Sequence, residues 1–398
     1  MVVGTSVDAT AEGPEPSGDI DDSANLNVLA DAALRRLGLV ESSSVTQVST
    51  ESLLPLVKEF AGGKIKFFHE NWCKLTSDRY ILDIVKYGVK IKVDHPTPCS
   101  RPIPLGYSER DKAFLKKEIH KLLEKKVIVR ADRGASGDFF SPVFLREKKD
   151  GTHRFILNLK RMNENVQKTH FKMESIKHVI AMIQPGCWMA TIDLKDAYYS
   201  VPVGEISTKL LKFVLDSEIF RFVALPNGYR DAPRIFTKIM KPVFGTLRNS
   251  GYASVVYIDD SYLQGLSYNQ CRLNVIVTVR VLLALGCTIH PIKSVLDPTR
   301  ELVFLGFVIN SITMTLSLTP DKRTKIRKMA IKMLRQKSPT IQQVAKLVGN
   351  LVATTEAVPL APRYYRKLEK DKAKALKLSR GRYEAKMIIS NKGEADLA

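Results

Sequence analysis

Ala190-Thr191-Ile192-Asp193-Leu194-Lys195-Asp196-Ala197-Tyr198 and, further along, Val255-Val256-Tyr257-Ile258-Asp259-Asp260 decide the reading of this chain. Each contains a short apolar run that ends in a carboxylate, and such runs read as buried strands. A carboxylate there is costly unless something cationic pairs with it. Asp193, Asp259 and Asp260 converging from two strands would hold divalent ions. Mg²⁺ in particular takes oxygen ligands, commonly one or two carboxylates completed by substrate phosphates. A two-ion site of this kind suits in-line transfer of a nucleotidyl group. An Asp-Asp pair alone is more often only a turn, because Asp tolerates turn geometry and solvates well. Here Ser254–Tyr257 and Ser261–Gln264 are β-prone arms, which predicts a hairpin carrying the acidic pair at its exposed tip.

The 398 residues suffice for two or three subdomains around a substantial core, and 44% hydrophobic content supports a globular protein. The net charge of +21 points to a polyanionic partner. Its distribution is uneven. Residues 1–60 carry ten acidic groups against Arg35, Arg36 and Lys58, a net −7, so the remainder carries +28. A body this basic is expected to bind a nucleic-acid duplex in a cleft, with strong salt dependence. Cys73, Cys99, Cys187, Cys271 and Cys287 are scattered without paired spacing, which suggests neither zinc site nor disulfide framework. No signal peptide or membrane span is expected; Val275–Leu285 is apolar but broken by Arg280. Reduced thiols then suggest an intracellular protein, in cytoplasm or nucleus.

Residues 1–50 have no aromatics and are rich in Ser, Thr, Asp, Gly and Ala, so a disordered acidic tail is expected, with a fragile helix at 25–39. Ser77–Lys86 reads as a helix ended by Gly88 and followed by a strand at Val89–Val93. Ser108–Lys125 is a clearer helix, with Leu115, Ile119, Leu122 and Leu123 on one face. Strand pairs then alternate with helices, as in a mixed α/β domain. After Ser317 the pattern turns helical: Lys322–Arg335 holds seven basic residues and no acidic one, and Thr340–Val352 continues at helical spacing.

Five blocks of the chain, in order, resemble those of the reverse transcriptases, from about Ile103 to about Leu360. Ser141-Pro142-Val143-Phe144 with Lys148-Lys149-Asp150-Gly151-Thr152-His153-Arg154 resembles the fingers hairpin. Asp193–Ser200 is similar to the first carboxylate block, and Leu225-Pro226-Asn227-Gly228-Tyr229-Arg230-Asp231-Ala232-Pro233 to the block beneath template and incoming nucleotide. Tyr257–Asp260 resembles the paired-aspartate block, and Phe304-Leu305-Gly306-Phe307 the primer grip. The connecting phrases Asn158-Leu159-Lys160-Arg161-Met162-Asn163, Pro226–Tyr229, Leu305–Ser311 and Leu347–Val352 with Ala357-Val358-Pro359-Leu360 are most similar to DIRS-type, tyrosine-recombinase retrotransposons.

The resemblance implies an α/β (α+β) right-hand polymerase fold with fingers, palm and helical thumb. The expected divisions are the tail at 1–50, an extension packing on the fingers at 51–105, fingers and palm at 106–317, the thumb at 318–366 and a charged tail at 367–398. It implies catalysis by Asp193, Asp259, Asp260 and Lys293, with Mg²⁺ as cofactor and Mn²⁺ as a possible substitute. Asp193 and Asp259 would be shared by both ions, the Leu194 carbonyl would be a further ligand, and Asp260 would hold one ion or tune the site. Lys148, Lys149 and Arg154, the turn Asp196-Ala197-Tyr198, and Asn227 would bind the deoxynucleoside triphosphate. The choice between the lysines stays open. Tyr198 would act as the gate against a ribose 2′-hydroxyl, Lys293 would protonate pyrophosphate, and Leu305 and Gly306 would grip the primer. Asn158 stands where many relatives have aspartate, and Asn227 where glutamine or phenylalanine is usual.

The expectation is an RNA-directed DNA polymerase whose partners are RNA or DNA template-primers and deoxynucleotides, from a retroelement or a host gene derived from one. The chain ends before any ribonuclease H or recombinase pattern, so those modules are expected elsewhere in a full element. The rival is a nucleic-acid-binding remnant without turnover, which the intact carboxylates disfavour.

Overall fold

The computed structural model describes Arg35 and residues 60–94, 106–132, 137–147 and 153–395. The expected acidic tail and its helix lie outside these residues apart from Arg35, as do Lys148, Lys149 and Cys99.

Chain order is α1 (His69–Leu75), α2 (Arg79–Tyr87), α3 (Glu109–Glu124), β1 (Ile128–Arg130), the pair β2 (Val143–Glu147) and β3 (His153–Leu157), α4 (Lys160–Glu164) and α5 (Ile176–Met182). Next come β4 (Trp188–Asp193), α6 (Glu205–Thr208), β5 (Lys212–Leu215), β6 (Glu218–Phe222), α7 (Ala232–Asn249), β7 (Ser254–Tyr257), β8 (Asp260–Gly265) and α8 (Tyr268–Ala284). The remainder is β9 (Val295–Thr299), β10 (Glu301–Phe304), β11 (Phe307–Asn310), β12 (Thr315–Leu318), α9 (Pro320–Leu334), α10 (Ile341–Val352), α11 (Ala361–Leu378) and α12 (Asn391–Ala395).

The helices start where side chains can satisfy their free amides. Asp78 caps α2, Ser108 caps α3, Ser267 caps α8 and Thr340 caps α10. The expected strand after α2 reduces to one bridge, Val89 with Val203. Gly88 turns the chain there at φ +84°, and a Cβ on it would collide with the Gly204 backbone.

The central sheet runs β7-β8-β4-β9, every pair antiparallel. Helices α7 and α8 cover it. Helix α7 buries Ile235, Phe236, Ile239, Met240, Val243, Phe244 and Leu247, the stripe of an amphipathic helix. Helix α8 is buried nearly all round, from Cys271 to Leu282, which explains the apolar Val275–Leu285 run as a core helix. Asn274 in its middle is satisfied by the carbonyls of Ala253 and Gln264, at 2.9 and 3.1 Å, tying the helix to β8 and to the residue that leads into β7.

The N-terminal segment is anchored on the far end of α8. Trp72 is fully buried and its indole donates to the Leu285 carbonyl at 3.0 Å, while Asn71 donates to Ala284 at 2.7 Å. It also reaches the outer sheet β1-β6-β5 through the Gly62 amide, which donates to Lys125 beside β1. Trp72, Leu285 and, beside Lys125, Val127 and Ile128 belong to one large core that also contains the inner faces of α7 and α8.

Helices α9 to α12 build a separate small core of Met333, Ile341, Val344, Leu347, Val348, Tyr365, Leu368, Met387 and Ile389. Helix α11 runs straight through the expected boundary between residues 366 and 367. Buried Leu368, Met387 and Ile389 place the described part of the charged segment 367–398 against the helical unit. The charges of that segment lie on the outer face of an amphipathic helix, which a count of charges cannot distinguish from a tail. Among the described residues no helix is long and apolar enough to cross a membrane.

Candidate active site

Strands β4 and β8 lie side by side with Asp193 directly opposite Asp260. Strand β7 returns into β8 through a two-residue turn, Ile258-Asp259, flanked by the pair Tyr257 and Asp260. Ile258 sits at φ +57°, a strained conformation for a β-branched residue and the sign required at the first central position of a type II′ turn. Such strain persists only where surroundings over-determine the backbone. Here the Leu194 amide donates to the Asp259 carbonyl at 2.9 Å, lacing the hairpin tip to the end of β4.

Asp193 is held from the other side too. Its amide donates to Ser294 Oγ at 3.0 Å, and its carbonyl accepts from the His290 amide at 2.8 Å. Ser294 Oγ in turn donates to the His290 carbonyl at 2.9 Å. Lys293, on the same loop, brings its Nζ within 3.8 Å of the Asp193 carboxylate and keeps 62% of its side chain exposed.

The electrostatics follow from crowding like charges in a half-buried place. Burial pushes the Asp193 carboxyl up, Asp259 adds to the rise, and Lys293 and His290 oppose it. Asp260 is lifted to about 6, first by burial and then by Asp259 and Asp193. Among the described residues no group of three or more His, Cys, Asp or Glu forms a ready-made metal cage. The donors that do converge are all oxygens carrying surplus negative charge, which fits a hard cation whose shell is completed by phosphate and water.

Tyr198 lies in the 3₁₀ turn Ala197–Ser200 just beyond β4. Its ring packs edge-on against Phe236 at 5.8 Å. Burial, Asp259 and Tyr257 push its hydroxyl up to about 12, so the ring stands beside the acidic tip. Asp196 caps that turn in the left-handed region at φ +52°, and its carboxylate bonds Lys125 at 2.6 Å. Any ligand contact from Asp196 or from buried Ala197 thus falls to the backbone. Arg154 is on β3, paired with Arg146.

Asn227 is exposed on the loop before α7, next to Gly228 at φ +93°. Sequence reasoning missed what holds this loop. Asn163 donates to the Gly228 carbonyl at 2.8 Å and accepts from the Arg230 amide at 2.9 Å. The Arg230 guanidinium returns to the carbonyls of Asn163 and Val166, at 2.8 and 3.0 Å. No local pattern in the sequence pairs Asn163 with a loop 65 positions away. Phe144, Ile156, Asn158, Lys160, Gly228 and Arg230 border the open cavity of about 510 Å³ between this loop and the β2–β3 hairpin.

Leu305 and Gly306 form the turn between β10 and β11, at φ +49° and +77°, the signs of a type I′ turn. Lys322 of α9 lies 4.1 Å from the Phe307 ring centroid and donates to the Ala353 carbonyl at 3.3 Å, joining this turn to the helical unit. Burial and Lys325 lower its affinity for a proton.

Residues 146–309 match the family model described as reverse transcriptase (RNA-dependent DNA polymerase). Polyprotein P3 of Commelina yellow mottle virus is 25% identical over 265 residues, 63% of this chain and 13% of the polyprotein. The enzymatic polyprotein of Cauliflower mosaic virus (strain Strasbourg) is 26% identical over 174 residues, 43% of this chain and 25% of its own length. The chain thus spans a quarter or less of these relatives. The foamy viral protease-reverse transcriptase dRH in complex with double-stranded DNA superposes with a TM-score of 0.59 at 17% identity, over 88% of this chain and 62% of that one. The foamy viral protease-reverse transcriptase in complex with an RNA/DNA hybrid gives 0.58 at 18%, over 85% and 46%. This likeness establishes the right-hand polymerase fold.

Proposed function

We propose, for a chain that carries a reverse transcriptase domain over residues 146–309, that it is an RNA-directed DNA polymerase extending a primer 3′-hydroxyl on an RNA or DNA template. The observation that carries this reading is the registration of Asp193 opposite Asp260, with Asp259 at a tip bonded back to Leu194. Asp193 and Asp260, whose carboxyls are pushed up by burial and by neighbouring Asp259, are costly to a fold and useful to a cation site.

Asp193 and Asp259 would hold divalent ions, with the Leu194 carbonyl as a further ligand and Asp260 holding one ion or tuning the pair. Bound Mg²⁺, or Mn²⁺ in its place, supplies a lowered pKa at the primer hydroxyl and charge neutralisation at the departing pyrophosphate. Lys293, near Asp193 and largely in solvent, is suited to bring a proton to that leaving group. Arg154 with Lys148 or Lys149 and the amides of the Asp196-Ala197-Tyr198 turn would bind the triphosphate, with Asn227 beside the base. The Tyr198 ring, braced by Phe236, would stand under the sugar and exclude a 2′-hydroxyl. Leu305 and Gly306 would position the primer end.

The connecting phrases around Asn158–Asn163 and Leu347–Val352 support origin in a DIRS-type retroelement. The test is single-nucleotide addition on RNA and DNA templates under Mg²⁺ and Mn²⁺, beside Asp259→Ala. Extension by the unaltered protein and loss of at least about 1000-fold in the variant is expected. Equal incorporation by both removes the mechanism, and template-primer binding with no extension by either favours a non-catalytic remnant.

A further inference from the structure

We infer that Glu174, which no catalytic block contains, is a positioning residue that pins the acidic hairpin in its working register; this rests on the catalytic reading of that hairpin. Strand β7 is the edge of the central sheet. The pair Tyr257 and Asp260 closes the two-residue turn and is therefore hydrogen-bonded, so the next pair, Val256 with Ser261, is not. The Val256 amide consequently points away from β8, off the open edge. An edge amide two residues before Ile258 and three before Asp259 is where the hairpin would fray first.

Glu174 occupies that place. Its carboxylate accepts the Val256 amide at 2.6 Å. The same carboxylate is gripped in bidentate fashion by Arg248, at 2.7 and 2.8 Å. Arg248 also donates through Nε to Ser254 Oγ at 3.1 Å, so the pair reaches β7 at both of its outward-facing positions. The planar fork of arginine fixes the carboxylate as no lysine would.

The clamp joins three separate elements: the segment leading into α5, the C-terminal turn of α7, and β7. It also borders a cavity of about 280 Å³ that Ile258 lines together with Met240 and Phe244. Ile258 packs on the main core on one side and lines this cavity on another, so its burial is only partial. The hydrogen-bonded clamp adds a second hold on its supporting strand. Loss of Glu174 would let Asp259 move relative to Asp193, and displacement of about 1 Å is enough to slow an oriented reaction about 100-fold.

The experiment reads hydrogen exchange and single-turnover addition on the same proteins: unaltered, Glu174→Ala, Glu174→Gln and Arg248→Lys. Exchange at Val256 should accelerate about 10-fold in Glu174→Ala, with amides in β4 and α8 unchanged, as expected when one local bond is lost. The rate constant of addition should fall about 10-fold or more while KM for template-primer stays within about 2-fold, because orientation and not binding is lost. Glu174→Gln keeps an oxygen for the Val256 amide and should recover part of both, and Arg248→Lys should lie between. Unchanged exchange at Val256 overturns the inference, as does faster exchange with an unaltered rate constant, a defect in KM alone, or exchange raised across every element. If the unaltered protein adds no nucleotide, the catalytic reading fails separately, and exchange at Val256 still decides whether Glu174 pins the strand.

Discussion

Asp260 carries the sharpest consequence of the site's charge. Its carboxyl binds a proton up to about pH 6 in the folded chain, against a value of 3.8 for the free side chain. A raised folded-state value means that this group's stabilising contribution is complete below about pH 4 and disappears as pH climbs through 6. The metal-free protein should therefore lose stability between mildly acidic and neutral pH, and Asp260→Asn should gain there. A shift of this size in a fully buried group is worth ~3 kcal/mol, and solvent screening of a partly exposed one leaves about 1 kcal/mol. Calorimetry in EDTA at pH 7 should show a Tm about 2 °C higher in the asparagine variant; no gain would mean that burial and the neighbouring carboxylates do not lift Asp260 as described. Tyr198 is the second residue to test. Tyr198→Ala should raise ribonucleotide addition relative to deoxynucleotide by about 10-fold or more, a steric discrimination of ordinary size. Tyr198→Phe should leave the ratio unchanged, since the ring and not the hydroxyl does the excluding.

At the scale of elements, the parts most legible in the sequence were those with strong local signals. Helix α3 was readable because Ser108 supplies a cap and Leu115, Ile119 and Leu122 recur on one face. The β7–β8 hairpin was readable because β-prone arms flank an acidic turn, although Asp260 proves to belong to the strand. The strand expected after Gly88 failed because strands need partners, and only Val89 meets one. The loop Pro226–Arg230 was readable as a block and opaque as a structure, since Asn163 holds it from outside and its own Arg230 reaches out to the Asn163 and Val166 carbonyls. Asn163→Ala removes the two hydrogen bonds that its side chain makes to the Gly228 carbonyl and the Arg230 amide. It should lower kcat/KM for nucleotide about 10-fold, in line with ~1–2 kcal/mol for such groups. Pre-steady-state addition on a fixed template checks this; an unaltered constant would show that the loop holds itself.

For the whole molecule, charge and connectivity act together. The body beyond residue 60 carries +28, and seven of those positive charges lie in Lys322–Arg335 alone. Template-primer affinity should fall about 1000-fold or more between roughly 50 and 200 mM salt, a log–log slope set by phosphates neutralised. Filter binding across salt measures it, and a flat response would exclude duplex binding through the basic surface. The helical unit has its own core and meets the rest through Lys322, the partly exposed Lys177–Glu356 pair at 3.3 Å and Ala357. That seam is narrow beside the continuous core shared by the outer sheet, α7 and α8.

The sequence by itself determined which residues are candidates for the chemistry, because carboxylates at strand ends, a basic helix and five ordered blocks are properties of residue type and spacing. It also determined that a basic globular body would result. Only the tertiary structure decided that Asp193 faces Asp260 and that the turn is locked through Leu194. It alone showed that Asn163, Glu174 and Arg248 brace the loop and the hairpin. Register and long-range hydrogen bonds depend on which segments meet in space, and single side chains with one distant partner leave no period in the chain for a reader to find.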